Sequence, residues 1–416
     1  MYRIIFAIFI IFLSAAKVEV GADRLFTSEY APLIKGKRIG LVTNHTARNR
    51  EMASTIDLIK QKGSTLNAKL TKLYAPEHGL DGRAYASESI KEAVDIDGIP
   101  IHSLHGSTRR PTDVMLKEID ILVYDIQDLG CRSYTFSTTL LYIMEEAAKK
   151  NIPVIVLDRP NPLNGWVVDG PLLDEKLRSF VGYINVPYCH GMTIGELARY
   201  FNGEYKIGCD LTVVPMKGWH RDMTFAETGL TWIPTSPNIP EASTAMYYPM
   251  TGLLGELQIV NIGIGYTLPF KLIGAPWINA KAFAKALNAQ KFPGVQFFPF
   301  YYRPFYGRYA QNDCEGILIS ITNPLTYKPV GTQYLIIGML KSMYPKEFAE
   351  GMKTSLGRKE MFNKVNGTPE VWKLMEGKGP IVWRLKEIAE KGKGTFLERR
   401  KKYLIPSYMT TTQVGR

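Results

Sequence analysis

Four short stretches of the chain concentrate carboxylates, amides, imidazoles and guanidinium groups. They are Thr43-Asn44-His45-Thr46, Ala75-Pro76-Glu77-His78-Gly79, Asp125-Ile126-Gln127-Asp128-Leu129-Gly130-Cys131-Arg132-Ser133-Tyr134 and Asp158-Arg159-Pro160-Asn161-Pro162-Leu163-Asn164-Gly165. Turn formation accounts for the Asn, Gly and Pro. It has no need of Glu77, Gln127, Arg132 or Arg159. Glu77 follows Pro76, which fixes the approach of the chain, and precedes Gly79 and Gly82, which let it turn tightly beside a ligand. A carboxyl group held in such a cleft can have a raised pKa and act as a general acid. Asp125, Asp128 and Asp158 are candidates for a second carboxylate, and two carboxyl groups across an acetal are what glycoside hydrolysis requires. Each has a plainer use as well: Glu77 as a helix cap or a partner of Arg83, Asp125 and Asp158 as hydrogen-bonding braces of their own loops. His190, in His190-Gly191-Met192-Thr193, either meets a ligand or orients the helix start that follows. Asn238 lies in the rigid turn 235–240, which would wall a cleft at a domain boundary.

Other chemistries lack their signatures. No G-x-G-x-x-G opens a helix after the first strand, no G-x-x-x-x-G-K-[ST] occurs, and no G-x-S-x-G elbow is present, so neither a nucleotide nor a serine nucleophile is indicated. Ser133 and Ser236 have no base that the sequence places beside them. The cysteines at 131, 189, 209 and 314 form no C-x-x-C pair. His102-x-x-His105 has a spacing found at metal sites, but no H-E-x-x-H accompanies it. The expectation is no metal and no cofactor, with His102 and His105 as surface loop residues.

The elements that must position these groups alternate strand and helix. Apolar runs at 38–42, 70–75, 99–104, 119–125, 153–157 and 211–215 read as strands; 53–62, 137–150 and 192–201 read as helices, the last with Thr193 and Glu196 spaced as a capping box. This order implies βαβ units and a mostly parallel, Rossmann-like sheet covered on both faces. Ligands of such sheets bind beyond the carboxyl ends of the strands, and each of the four polar stretches follows a strand. After about residue 246 the pattern changes. Glycines and aromatics crowd 252–277, a helix is expected at 279–290, strands at 295–300 and 316–322, and a helical tail starts at Thr368-Pro369-Glu370. The fold class is therefore α/β, with a smaller α+β C-terminal domain.

The 416 residues suit two domains, and 45% hydrophobic with 22% charged content excludes a disordered or collagen-like chain. Met1-Tyr2-Arg3, an apolar run over 4–13 and the small residues at 14–16 and 20–22 read as a signal peptide over 1–22, with cleavage after Ala22 or, alternatively, after Ala16. No cysteine follows the run, so no lipoprotein anchor and no stable membrane insertion are expected. The catalytic domain would then span 23–245 and the second domain 246–416, in an exported protein, periplasmic or secreted. The net charge is +12, and removing residues 1–22 (Arg3, Lys17, Glu19) leaves +11. The basic residues are dispersed apart from Arg399-Arg400-Lys401-Lys402, which favours anionic wall polymers over nucleic acid.

Taken in order, TNHTA at 43–47, APEHG at 75–79, DIQDLGCRSYTF at 125–136, LDRPNPLNG at 157–165, HGMTIGELA at 190–198 and SPNIP at 236–240 resemble the NamZ-type exo-β-N-acetylmuramidases; GAPWI at 274–278 and CEGI at 314–317 extend the likeness into the second domain. The resemblance implies an exported peptidoglycan hydrolase that releases terminal N-acetylmuramic acid from the non-reducing end of MurNAc-GlcNAc fragments. It puts the catalytic glutamate on Glu77. It makes cleft residues of Asn44, His78, Asp125, Gln127, Asp128, Arg132, Tyr134, Asp158, Arg159, Asn161, His190 and Asn238. Arg132 and Arg159 would hold the lactyl carboxylate of the sugar, and Asp125, Asp128 or the substrate's acetamido group would support the transition state. One departure stands out: Gly263-Ile264-Gly265-Tyr266 replaces a G-R-G-T segment of many relatives. The rival readings are a non-catalytic wall-glycan binding protein and an esterase or amidase acting on wall substituents.

Overall fold

The computed structural model describes residues 18–409; residues 1–17 of the expected signal segment lie outside the described residues. Within them the strands are, in chain order, β1 (Arg38–Thr43), β2 (Lys69–Ala75), β3 (Ala93–Val94), β4 (Pro100–Ser103), β5 (Ile121–Asp125), β6 (Val154–Leu157), β7 (Val168–Leu172), β8 (Pro187–His190), β9 (Leu211–Val214), β10 (Leu272–Ala275), β11 (Val295–Tyr302) and β12 (Cys314–Ile321). Seven form one sheet in the order β3-β4-β2-β1-β5-β6-β9. Its pairs are parallel except for β3, which runs antiparallel at the β4 edge. The apolar runs of β5 and β6 are buried along their whole length, as a sheet covered on both faces requires.

The crossovers are the helices Thr55–Thr65, Thr135–Lys149 and Ile194–Glu204. Their starts obey local chemistry. The Ser54 hydroxyl accepts the Asp57 N–H, and Thr193 and Glu196 close a reciprocal capping box. The antiparallel hairpin β7/β8 carries no strand signature, since β7 reads Val-Asp-Gly-Pro-Leu and resembles a turn.

The second domain opens with the helix Ala242–Leu257, which contains Pro249, Gly252 and Gly255. Propensity argues against a helix there, but Met250, Leu253, Leu254 and Leu257 are completely buried, and packing outweighs propensity. A three-stranded antiparallel sheet, β10-β12-β11, packs against the helix Ala280–Ala289, which Asn279 caps. The helical C-terminal region starts earlier than expected, with the helices Pro329–Met343, Pro345–Thr354 and Lys359–Asn366; the expected start at 368–370 is the helix Glu370–Glu376, capped by Pro369, with the Thr368 hydroxyl accepting the Glu370 N–H. One continuous apolar cluster joins both domains, and the segment 400–408 folds back onto the first. Arg400 donates to the carbonyls of His190 and Gly191, and the Tyr408 hydroxyl donates to Asp158.

The start of the described chain is equally integral. Val18, Val20 and Ala22 are buried, Glu19 pairs with Lys217 in a β-bridge, and the Gly21 N–H donates to the Asp158 carbonyl. A Cβ on Gly21 would lie 2.5 Å from the Asp158 nitrogen, so this segment threads where a side chain has no room. Among the described residues, no helix is long and apolar enough to cross a membrane.

Candidate active site

Parallel pairing builds the first wall. β2 and β4 are in register with Ala75 opposite Ser103, so the residues two places beyond each strand, Glu77 and His105, emerge side by side. The His105 Nε2 lies 3.7 Å from Glu77 Oε1. The Ser87 N–H donates to Oε1 (2.8 Å) and the Thr135 hydroxyl donates to Oε2 (2.5 Å). Thr135 is the first residue of its helix, whose partly positive end favours an anion nearby. Burial pushes the Glu77 carboxyl up, but the Thr135 and Ser87 donors with the His105 and His78 imidazoles outweigh it, and its pKa lies below the ordinary value. The free cleft therefore holds a carboxylate at neutral pH, whereas the sequence suggested an elevated acid. His105 is buried, and that burial lowers its pKa against the opposing pull of the Glu77 carboxylate.

The loop carrying Glu77 is tightly formed. His78 takes a left-handed backbone (φ 70°) and its Nδ1 pairs with the Ala84 carbonyl at 2.7 Å. Gly82 also has positive φ, and a Cβ there would fall 2.0 Å from the His45 ring. The opposite wall comes from the second domain. Tyr248, Gly252, Gly255 and Glu256 share one face of their helix, and Ile264, Arg308 and Arg358 extend it. Together these walls enclose a cavity of about 680 Å³, to which Tyr134 and Asn238 also contribute. Tyr134 donates its hydroxyl to Thr235 and packs edge-on against Tyr248; Asn238 is hydrogen-bonded to no described residue.

The other expected site residues lie behind this surface. Asp125 is fully buried; Arg159 donates to both of its oxygens through Nε (2.5 Å) and Nη2 (2.9 Å), and the Thr55 hydroxyl donates to Oδ2 as well. Arg159 spends its remaining nitrogen on the Arg48 carbonyl. Asn44 accepts from the Thr46 N–H and hydroxyl, and that hydroxyl oxygen accepts the Gln127 N–H. The Gln127 amide donates to the Asp128 and Pro160 carbonyls. Asp128 braces the Gly130 N–H, and burial pushes its carboxyl up to about 7. Asp158, raised to about 6 by burial, takes the Thr193 and Tyr408 hydroxyls and the Gly195 N–H, so it pins a helix start and the segment 400–408. Asn161 ties Leu163 to Met192. His190 accepts the Met192 N–H and is driven down to about 3 by burial and by Arg400 and Arg132.

Arg132 departs most from its expected use. Its Nη1 donates to the carbonyls of Pro171 (2.8 Å) and Val186 (2.6 Å), and its Nη2 to that of Asn366 (2.7 Å). The guanidinium is a pin between the domains and does not line the cavity.

Sequence reading passed over Thr135, Arg109, Tyr248 and Glu256, and it assigned His105 to the surface. Thr135 was within reach, because it adjoins Tyr134 in the same polar stretch. The pairing of His105 with Glu77 needed the strand register. His102 bonds Glu92 instead, and among the described residues no group of three or more His, Cys, Asp or Glu side chains could hold a metal ion. The four cysteines are free thiols.

These features define a two-domain α/β protein with a polar, carboxylate-bearing cleft at the junction of its domains. Residues 39–243 match the family model described as exo-β-N-acetylmuramidase NamZ, N-terminal, and residues 246–405 match its C-terminal counterpart. The chain belongs to the NamZ exo-β-N-acetylmuramidase family. It is 40% identical over 390 residues to the peptidoglycan β-N-acetylmuramidase NamZ of Bacillus subtilis (strain 168), covering 94% of this chain and 91% of that protein. Two crystal structures of DUF1343 family proteins from Bacteroides fragilis share the fold. One has a TM-score of 0.86 at 37% identity and the other 0.71 at 29%, each covering 94% of this chain and 99% of its own.

Proposed function

We propose that this protein is an exo-acting glycoside hydrolase that releases N-acetylmuramic acid from the non-reducing end of peptidoglycan fragments, with Glu77 as its catalytic carboxyl group. The observation that carries the reading is Glu77 itself, gripped by Thr135, Ser87 and His105 on the wall of the interdomain cavity. The volume of about 680 Å³ falls within the range of small-ligand pockets, roughly 300–1,000 Å³. Family membership and the activity of the Bacillus subtilis relative support the substrate class.

In this reading Glu77 delivers a proton to the glycosidic oxygen after the bound sugar displaces water and disfavours its ionised form. Asp125 is fully engaged by Arg159 and Thr55, and Asp128 braces the Gly130 N–H behind the cavity wall, so the second role falls to the substrate's acetamido group. A second reading follows from the donors that hold Glu77 ionised: the carboxylate acts as a base toward water or toward the acetamido group. The test of the function is turnover of a chromogenic β-N-acetylmuraminide and its N-acetylglucosaminide counterpart by the wild type and by Glu77→Gln. Release from the muraminide alone, abolished in the variant, is the expected result. Near-normal rates in the variant would remove Glu77 from the chemistry. Saturable binding without product in the wild type would leave a glycan-binding protein, and labelling by a serine-directed probe would favour the esterase or amidase.

The apolar N-terminal run belongs, in our reading, to an export signal, so the protein acts outside the cytoplasm. Burial of Val18, Val20 and Ala22 favours cleavage after Ala16, because a cut after Ala22 would remove parts of the core.

A further inference from the structure

We propose that Arg109 is the specificity-determining residue of this cleft, its guanidinium receiving the lactyl carboxylate of the terminal sugar. This inference rests on the muramidase reading above. A carboxylate leaving water needs a cation or a fork of N–H donors, since an unpaired buried charge is costly. Arg132 and Arg159 meet the requirement by residue type only. The fork of Arg132 is spent on backbone carbonyls and that of Arg159 on Asp125.

Three other guanidinium groups line the cavity among the described residues: Arg109, Arg308 and Arg358. Arg358 makes no side-chain hydrogen bond or ion pair with a described residue, but it lies within electrostatic reach of the Glu256 carboxyl, whose burial-raised pKa it lowers. Arg308 donates to the Tyr309 hydroxyl and lies over that ring at 4.4 Å. Arg109 has no hydrogen bond or ion pair with any described residue, and its guanidinium lies over the Phe180 ring at 4.2 Å. Its neighbour Arg110 shows the alternative, being consumed by Glu145 and Glu146.

Phe180 is buried and tilts against the His105 ring at 5.6 Å, and His105 adjoins Glu77. One continuous wall therefore runs from the reacting carboxyl to an unneutralised cation. Contact with the Phe180 ring uses none of the guanidinium N–H donors, so they remain available for the bidentate carboxylate binding that arginine favours. The charge of Arg109 already reaches along this wall, where it lowers the pKa of His105.

Calorimetric binding of free N-acetylmuramic acid and free N-acetylglucosamine tests the proposal without requiring turnover. The wild type should bind the muramic acid about 10- to 100-fold more tightly, the range of a hydrogen bond to a charged group. Arg109→Gln should bind both sugars alike with the glucosamine affinity unchanged, and Arg109→Lys should recover part of the preference. A wild type without preference, an Arg109→Gln protein that keeps it, or loss of preference in Arg308→Gln instead would each overturn the assignment. Muraminide turnover by the wild type is measured separately. Its failure alongside an intact, Arg109-dependent preference would sink the hydrolase and support the carboxylate site.

Discussion

Replacing Asp125 by Ala separates a brace from a catalyst. Asp125 has no exposed surface, and it receives two guanidinium donors and a hydroxyl. Removing it leaves the Arg159 guanidinium, 5% exposed, without a counter-charge. Breaking one side of such a buried pair costs about 3–5 kcal/mol, because the survivor's desolvation is no longer offset. The midpoint of urea unfolding should fall accordingly, with the slope unchanged. Replacing both partners together, as Asp125→Leu with Arg159→Met, should recover much of the loss. At a temperature where the single variant is folded, its kcat on the muraminide should stay within a few-fold of wild type. A catalytic carboxylate would show the opposite pattern, an unchanged unfolding midpoint and a rate lower by about 10²-fold or more. That outcome would refute the assignment of Asp125 to the scaffold and return it to the reaction.

Other outcomes are equally specific. Thr135→Val removes a donor that stabilises ionised Glu77, so the carboxyl pKa rises; with Glu77 as the proton donor, the alkaline limb of the kcat–pH profile moves to higher pH, whereas a base would move the acid limb upward instead. Asp128, held near 7 against an unfolded value of about 3.9, keeps its proton in the native state while the unfolded chain has lost it. Its favourable contribution is thus greatest at low pH and lost as pH rises toward about 7. Asp128→Asn, neutral throughout, should gain stability relative to wild type between pH 5 and pH 8 in urea titrations. Mass spectrometry of protein recovered from outside the cytoplasm should find Lys17 as the first residue, and a chain starting at residue 23 should unfold at lower urea for want of Val18, Val20 and Ala22.

Much of the framework was legible in residue order alone. The apolar runs of β1, β5 and β6 are long enough, and continuous enough, to demand a sheet buried on both faces. Thr193 and Glu196 announced a helix start because a capping box is local, needing only side chains three residues apart. The six ordered motifs carried the family, and APEHG placed Glu77 after its strand. Local rules fail where the partner is distant. Asp125, Arg132 and Arg159 have the chemistry of a binding site, but residue type does not reveal whether a polar group beyond a strand faces the cavity or the loop beneath it. Tertiary structure settled that by sending Arg159 to Asp125 and Arg132 to carbonyls as far along the chain as Asn366. It likewise set His105 beside Glu77 through the β2–β4 register. It also left Arg109 unpaired on Phe180 and closed the cavity with a helix that propensity disfavours. The sheet and its caps follow from interactions between neighbours in sequence. Which polar groups remain free to meet a substrate depends on long-range pairing, which only the packed chain decides.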